Sequence, residues 1–380
     1  MNLKRITVLS PSFALTSIVA VSSALAKISQ AFPEVSVSSV QMLTTLPSLI
    51  AIAVILLSGV LSSWITKKII VAISMGLMLI GGLMPLLLHE HFYQLVIASI
   101  VFGLGYGGIS PLTTALINEH YGPEEQPAML GFQSAVIGIG GVLFSSLGGK
   151  LASICWWYTY FTYILFIPVL ILVLMLPKGS VTQKTQGGGF KELFNGRLLF
   201  YICQGVMFGT FFFVFQTNIA LLIESRDLGG AQVAGTVLSI QSAFGIISGI
   251  LGGKILNTLK DMSLPVIFGV AGCGLLVIFL ADGMLPIYCS AAFLGFVFSL
   301  RMPAGYLKST SSVPAHCATL AITVYCSSSQ IGQFLSPLCI NGLSDFFGFN
   351  LDQKFMLSGI LLVTVGLLSA FWEKRVVRAS

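Results

Sequence analysis

Apolar residues in this chain do not alternate with polar ones at the period of a strand or of a half-buried helix; they gather into long continuous runs. Twelve such runs fall at roughly 7–28, 37–62, 69–88, 92–117, 128–149, 156–176, 198–222, 232–253, 263–281, 285–306, 315–341 and 355–372. A helix of about 20 apolar residues crosses the roughly 30 Å hydrocarbon layer of a bilayer. It also satisfies its own backbone hydrogen bonds where no water is present. The pattern therefore predicts an all-α membrane protein with twelve transmembrane helices. Composition agrees: 56% of the 380 residues are hydrophobic and 8% are charged, against about 25% charged in a soluble domain. Mean hydropathy is +0.95. Twelve spans leave no room for a soluble domain.

Between the sixth and seventh runs lies the longest polar stretch, from Pro177-Lys178-Gly179 through Gly187-Gly188-Gly189 to Lys191-Glu192. Its Gly, Gln, Ser and Lys content buries no core and reads as a linker. The two sides echo each other. Ser58-Gly59-Val60-Leu61 closes the second run and Ser248-Gly249-Ile250-Leu251 the eighth. Gly103 and Pro111 of the fourth run recur as Gly295 and Pro303 of the tenth, and Tyr106 as Phe298. The expected organisation is two pseudo-symmetric six-helix bundles, residues 1–177 and 198–380, joined by a cytoplasmic linker over 178–197. Parallel repeats of this kind are a known transporter plan.

Charge sets the expected orientation. The net charge is +6, but no basic patch interleaved with aromatics lies outside the runs, so nucleic acid is not an expected partner. With the N-terminus inside, fifteen of the 19 Lys and Arg fall on the cytoplasmic side, as the positive-inside rule requires. Both termini are then cytoplasmic, and a bacterial inner membrane is the expected location. The first run also has the form of a secretory signal, with Lys4-Arg5 before it and Ala24-Leu25-Ala26 near its end. The duplication, which needs six helices in the first half, favours a retained span. The seven cysteines form no Cys-x-x-Cys pair, so neither a disulfide framework nor a metal site is inferred. Glycines such as Gly103, Gly105, Gly107 and Gly108 lack the strand and the Gly-Lys-Ser/Thr of a phosphate loop. They read as close helix contacts in lipid, and no cofactor is called for.

Six plus six runs, a central linker and the end of the second run resemble the major facilitator superfamily. Gly59-Val60-Leu61-Ser62-Ser63-Trp64-Ile65-Thr66-Lys67-Lys68 keeps the Gly, Leu and basic pair of that family's loop between helices 2 and 3. Ser63 and Trp64 stand where the family carries Asp and Arg. Gln330-Ile331-Gly332-Gln333-Phe334-Leu335-Ser336-Pro337 looks like a segment common among small bacterial members. Drug antiporters of the family carry an Arg where this chain has Ser99, and a Gly-Pro where it has Phe144-Ser145. The resemblance implies alternating access, with Gly59, Lys67 and Lys68 at the gating loop and helices 1, 4, 7 and 10 lining a central cavity.

All thirteen carboxylates fall in loops or at the ends of runs. Proton-coupled carriers hold titrating groups within the membrane, so coupling, if protons take part, would use end-of-helix acids such as Glu34 or Glu119. Arg301 lies inside the tenth run. Either it receives an anionic or carbonyl-bearing solute through its planar fork, or it snorkels to headgroups or bonds carbonyls before Pro303. The seventh run carries Gln204, Phe208, Phe211, Phe215 and Asn218 on one helical stripe. This stripe is either a pocket wall or a packing face with interhelical polar bonds. Tyr106, in a stripe with Ser99, Gly103 and Ser110, and Gln330 and Gln333, near Tyr325, are further candidates. No convergent His, Cys or carboxylate group points to an enzyme. The expected function is secondary transport of a small amphipathic or anionic organic solute by a monomer in the bilayer; the alternative is a proton-driven multidrug efflux antiporter.

Overall fold

A computed structural model describes residues 3–61, 64–122, 124–176, 195–314 and 317–379. The linker reading over 178–197 lies almost entirely outside these residues, as do Ser62 and Ser63 of the loop motif. The described residues form helices α1 (Leu3–Ala31), α2 (Val37–Leu61), α3 (Lys67–Leu86), α4 (Phe92–His120), α5 (Gln126–Ile154) and α6 (Trp156–Leu174). They continue as α7 (Gly196–Ser225), α8 (Ala231–Leu259), α9 (Ser263–Phe279), α10 (Met284–Ser311), α11 (Ala318–Phe347) and α12 (Leu351–Ala379). Among the described residues ten stretches are long and apolar enough to cross a membrane, and one of them, Ala231–Phe279, comprises both α8 and α9. With α11, which is more polar than the rest because it carries Ser327–Ser329, Gln330, Gln333 and Asn341, the spans number twelve.

Among the described residues four spans depart from a regular α-helix: α3 ends in a 3-10 turn over Met84–Leu86, α7 is interrupted at Phe213 between Gly196–Phe212 and Val214–Ser225, and α1 and α6 carry longer 3-10 stretches. α1 is α-helical over Leu3–Leu9, tightens to a 3-10 helix over Ser10–Thr16 and resumes as α over Val19–Ala31. Pro11 removes a backbone donor there. The Ser10 and Ser17 hydroxyls donate to the Thr7 and Ala14 carbonyls, competing with regular helix bonding. α6 opens as a 3-10 helix over its aromatic start, Trp156–Leu165.

By internal contacts the chain forms two compact units. The first comprises Met1–Thr185 with Ile223–Ser242. Its core is built from Val8, Leu25, Ile28, Phe144, Tyr163 and Phe166, all buried. α1 supplies Val8, Leu25 and Ile28 of this core. α4 packs on α2 and α3, and its glycines permit this. A Cβ on Gly107 would meet the Ala51 carbonyl oxygen at 2.7 Å, and one on Gly105 would strike Ser74 and Met78. The first half of α8 joins this unit on α5, where the Ser145 and Ser239 hydroxyls bond at 2.7 Å.

The second unit comprises Gln186–Leu222 with Ala243–Ser380. α7 packs on α11, and α9 on α12 and α10. Phe208, Phe212, Phe215, Phe268 and Phe355 are fully buried within the chain, and so is Tyr325.

Candidate functional site

α10 runs unbroken through Pro303. Arg301 stands ten residues from its last residue, Ser311, about 15 Å along the axis at 1.5 Å per residue. The side chain does not extend to a helix end. It is 2% exposed, and its Nη2 donates to the Ser329 hydroxyl of α11 at 2.6 Å and contacts the Met302 sulfur at 2.9 Å. The Phe208 ring of α7 lies 4.8 Å from the guanidinium carbon and the Tyr325 ring of α11 lies 5.7 Å away. Both are within cation–π range. Phe208 stacks on Phe212 at 4.8 Å and Phe212 on Phe298 at 5.2 Å, each pair tilted by 15°. A ladder of three rings thus ends on the guanidinium.

Nε and Nη1 of Arg301 are buried without a hydrogen-bond partner among the described residues, as is the Tyr325 hydroxyl. A buried charge with idle donors is costly, because removal from water is not repaid. The same idle fork is suited to a carboxylate or phosphate oxygen pair. Tyr325 reaches its position because α10 carries Gly305. A Cβ there would overlap the phenol ring and hydroxyl.

The other residues of the α7 stripe are buried or half-buried in the second unit. Gln204 donates to the Ser369 hydroxyl of α12 at 2.7 Å, an interhelical polar bond. Asn218 donates to the Val214 carbonyl of its own helix and to the Thr217 hydroxyl. Phe215 is fully buried, and Phe211 is half-buried. On α11, Gln333 is buried and Gln330 half-buried, one residue after the Ser329 that holds Arg301. The structure therefore brings Arg301, Phe208 and α11 together, and turns Gln204 toward α12.

Tyr106 is in the first unit, half-buried against its core. Nearby polar groups stitch helices: Ser99 donates to the Leu43 carbonyl and Thr16 to the Ile137 carbonyl. Gly59 lies in the last turn of α2. Lys67, at the start of α3, pairs with Glu119 near the end of α4 at 3.0 Å. Lys68 donates to the Leu176 carbonyl just beyond α6 at 2.6 Å. The basic pair thus ties α3 to the ends of two neighbouring helices, and Glu119 is held in an ion pair. Glu34 is exposed in the turn between α1 and α2. His89 and His91 face separate rings, Trp157 at 4.4 Å and Tyr93 at 5.5 Å.

One polar cluster was not anticipated from the sequence. Glu373 of α12, 2% exposed, accepts from the Tyr201 hydroxyl at 2.8 Å and from Lys308 at 2.9 Å. Lys308 also pairs with Asp261, between α8 and α9, at 2.7 Å. The cluster clamps one end of α7, α10 and α12 beside a cavity of about 410 Å³ lined by Asn257, Lys260, Asp261 and Lys308. Without Glu373 the Tyr201 hydroxyl loses its acceptor and Lys308 keeps only the exposed Asp261. Glu373→Ala is therefore expected to lower stability by about 1–3 kcal/mol, with Lys308→Met in the same chain recovering part of the loss. Thermal unfolding of the single and double variants checks this.

Comparison with known proteins agrees with this architecture. The Major Facilitator Superfamily model matches residues 7–337. A bacterial homolog of the human lysosomal transporter Spinster, solved inward-facing and unoccupied, has a TM-score of 0.74 at 14% identity and covers 98% of both chains. An auto-inhibited POT family peptide transporter has a TM-score of 0.77 at 10% identity, covering 99% of this chain and 97% of its own. The nucleoside transporter NupG, solved as a point mutant, has a TM-score of 0.76 at 13% identity, with 98% and 99% covered. At such identities these likenesses concern the fold alone.

Proposed function

The chain belongs to the Major Facilitator Superfamily, and we propose that within it this protein is a secondary transporter of small amphipathic organic anions. It works by alternating access, with both termini on the cytoplasmic side of a bacterial inner membrane. One observation carries the substrate class: Arg301, buried within a membrane span, keeps two guanidinium nitrogens without a hydrogen-bond partner among the described residues, at the end of an aromatic ladder. An anionic group on the guanidinium and an apolar body on the rings would complement both features. The same features disfavour cationic solutes, because a guanidinium repels them and the buried carboxylate of Glu373 is already bonded to Lys308 and Tyr201. Tyr106, Phe211, Phe215, Asn218, Gln330 and Gln333 are proposed as secondary contributors to solute selection. Gly59, Lys67 and Lys68 are proposed to govern gating, and Glu119 and Glu34 to carry any proton coupling.

The test is a ligand panel on purified protein in detergent, pairing aromatic and aliphatic carboxylates with their uncharged amides. A ligand at 100 times its Kd stabilises the folded state by about 2.7 kcal/mol. Carboxylates are expected to raise the unfolding temperature and their amides to leave it unchanged. Equal shifts from acid and amide would refute the anion reading.

A further inference from the structure

The unpaired guanidinium has a consequence for the state of the site between transport events. Among the described residues of the second unit, Phe208, Tyr325, Ser329 and Met302 contact it with two rings, a hydroxyl and a thioether, and the Tyr306 hydroxyl and Cys326 thiol, bonded to each other, lie close enough to interact with it electrostatically. None carries negative charge. Glu373, a buried carboxylate of the same unit, is engaged by Tyr201 and Lys308, and Lys308 shares its charge with Asp261. A fixed cation in a low-dielectric interior is disfavoured strongly unless an anion sits beside it.

We infer that Arg301 holds a small inorganic anion, of which chloride is the representative, whenever no organic solute is bound. Its idle Nε and Nη1 donate to the ion, and the unpartnered hydroxyl of Tyr325 lies on a ring already against the guanidinium. The inference rests on the solute site proposed above and adds a coupling rule to it. If the site is always filled by one anion or another, the two compete, and the protein exchanges anions more readily than it reorients empty. The coupling species would then be an anion, consistent with spans whose carboxylates sit near their ends.

The test uses purified full-length protein in detergent, with sodium chloride replaced stepwise by the sodium salt of a bulky sulfonate at constant ionic strength, which holds screening fixed. Chloride is expected to raise the unfolding temperature of the wild type by about 2–4 °C and to leave Arg301→Met unchanged. Arg301→Gln serves as the charge-free reference where the Met variant does not fold. A second arm loads liposomes with chloride and a chloride-sensitive dye and adds external nitrate; exchange is expected with wild type and not with the variant. A wild type indifferent to chloride, or a variant that responds equally, overturns the inference. Stabilisation by carboxylates with none by chloride would leave the solute site standing and remove this inference alone. Stabilisation by chloride with none by any carboxylate would do the reverse.

Discussion

Arg301→Met, assayed without chloride or solute, is expected to unfold at a higher temperature than the wild type. Exchanging a buried charge for an apolar side chain of similar volume is commonly neutral or stabilising by about 1–4 kcal/mol. Here the balance is tilted further. Among the described residues the arginine keeps two unsatisfied nitrogens, and methionine would place a polarisable thioether among Phe208, Tyr325 and Met302, where sulfur–aromatic contacts are favourable. The Ser329 hydroxyl loses a partner, at a cost of about 1 kcal/mol. The variant should lose anion-dependent stabilisation at the same time. A gain in stability joined to a loss of binding is the signature of a residue retained for function; a fall in unfolding temperature would mean that the ring and serine contacts repay the burial of charge by themselves.

The second large effect is structural. Gly332→Val is expected to destabilise the second unit by about 3 kcal/mol. A Cβ on Gly332 would overlap the Val206 carbonyl oxygen and lie 2.9 Å from both the Gly209 Cα and the Thr210 nitrogen. These are backbone atoms of α7 and cannot rotate aside, so α7 and α11 must separate. In lipid, close packing of this kind is what holds helices together. The separation would also draw Ser329 away from Arg301. Gly342, on the same helix, has nothing within 4 Å of its Cβ position, and Gly342→Val is the control expected to change little. Unfolding curves for the pair provide the check.

The fold was largely legible because bilayer thickness imposes one length on every span. Errors at the ends have specific causes. The run ending near 149 stops at Gly148-Gly149-Lys150, yet α5 continues to Ile154; the glycines serve close packing on α1 and α8 rather than termination. The eleventh run fades at Asn341, but the helix continues to Phe347 and stops at Gly348, whose φ of +69° is the left-handed conformation glycine adopts freely. The 3-10 stretch of α1 was signalled by Ser10-Pro11-Ser12 and not drawn from the pattern, since both helix types bury apolar runs.

The site was legible in part. A single arginine inside an apolar run stands out at once, and its neighbour Phe208 lies on the stripe that helical spacing exposes. Ser329 and the slot that Gly305 makes for Tyr325 depend on how α7, α10 and α11 meet, which no local spacing encodes. Glu373 looked like the end of a span because Lys374 and Arg375 follow it. Its partners, Tyr201 and Lys308, are far away in sequence. Helical spacing left Gln204 open between a pocket wall and a packing face, and its bond to Ser369 engages it with α12.

The central claim, that Arg301 receives the anionic group of a transported solute, is tested most directly by counterflow in proteoliposomes. A carboxylate that stabilises the purified protein is loaded inside, its labelled form is supplied outside, and wild type is compared with Arg301→Met and Arg301→Gln. Labelled carboxylate should accumulate with the wild type, fall to the level of protein-free vesicles with either variant, and fail to be displaced by the matched amide. Undiminished accumulation with both variants would contradict the claim.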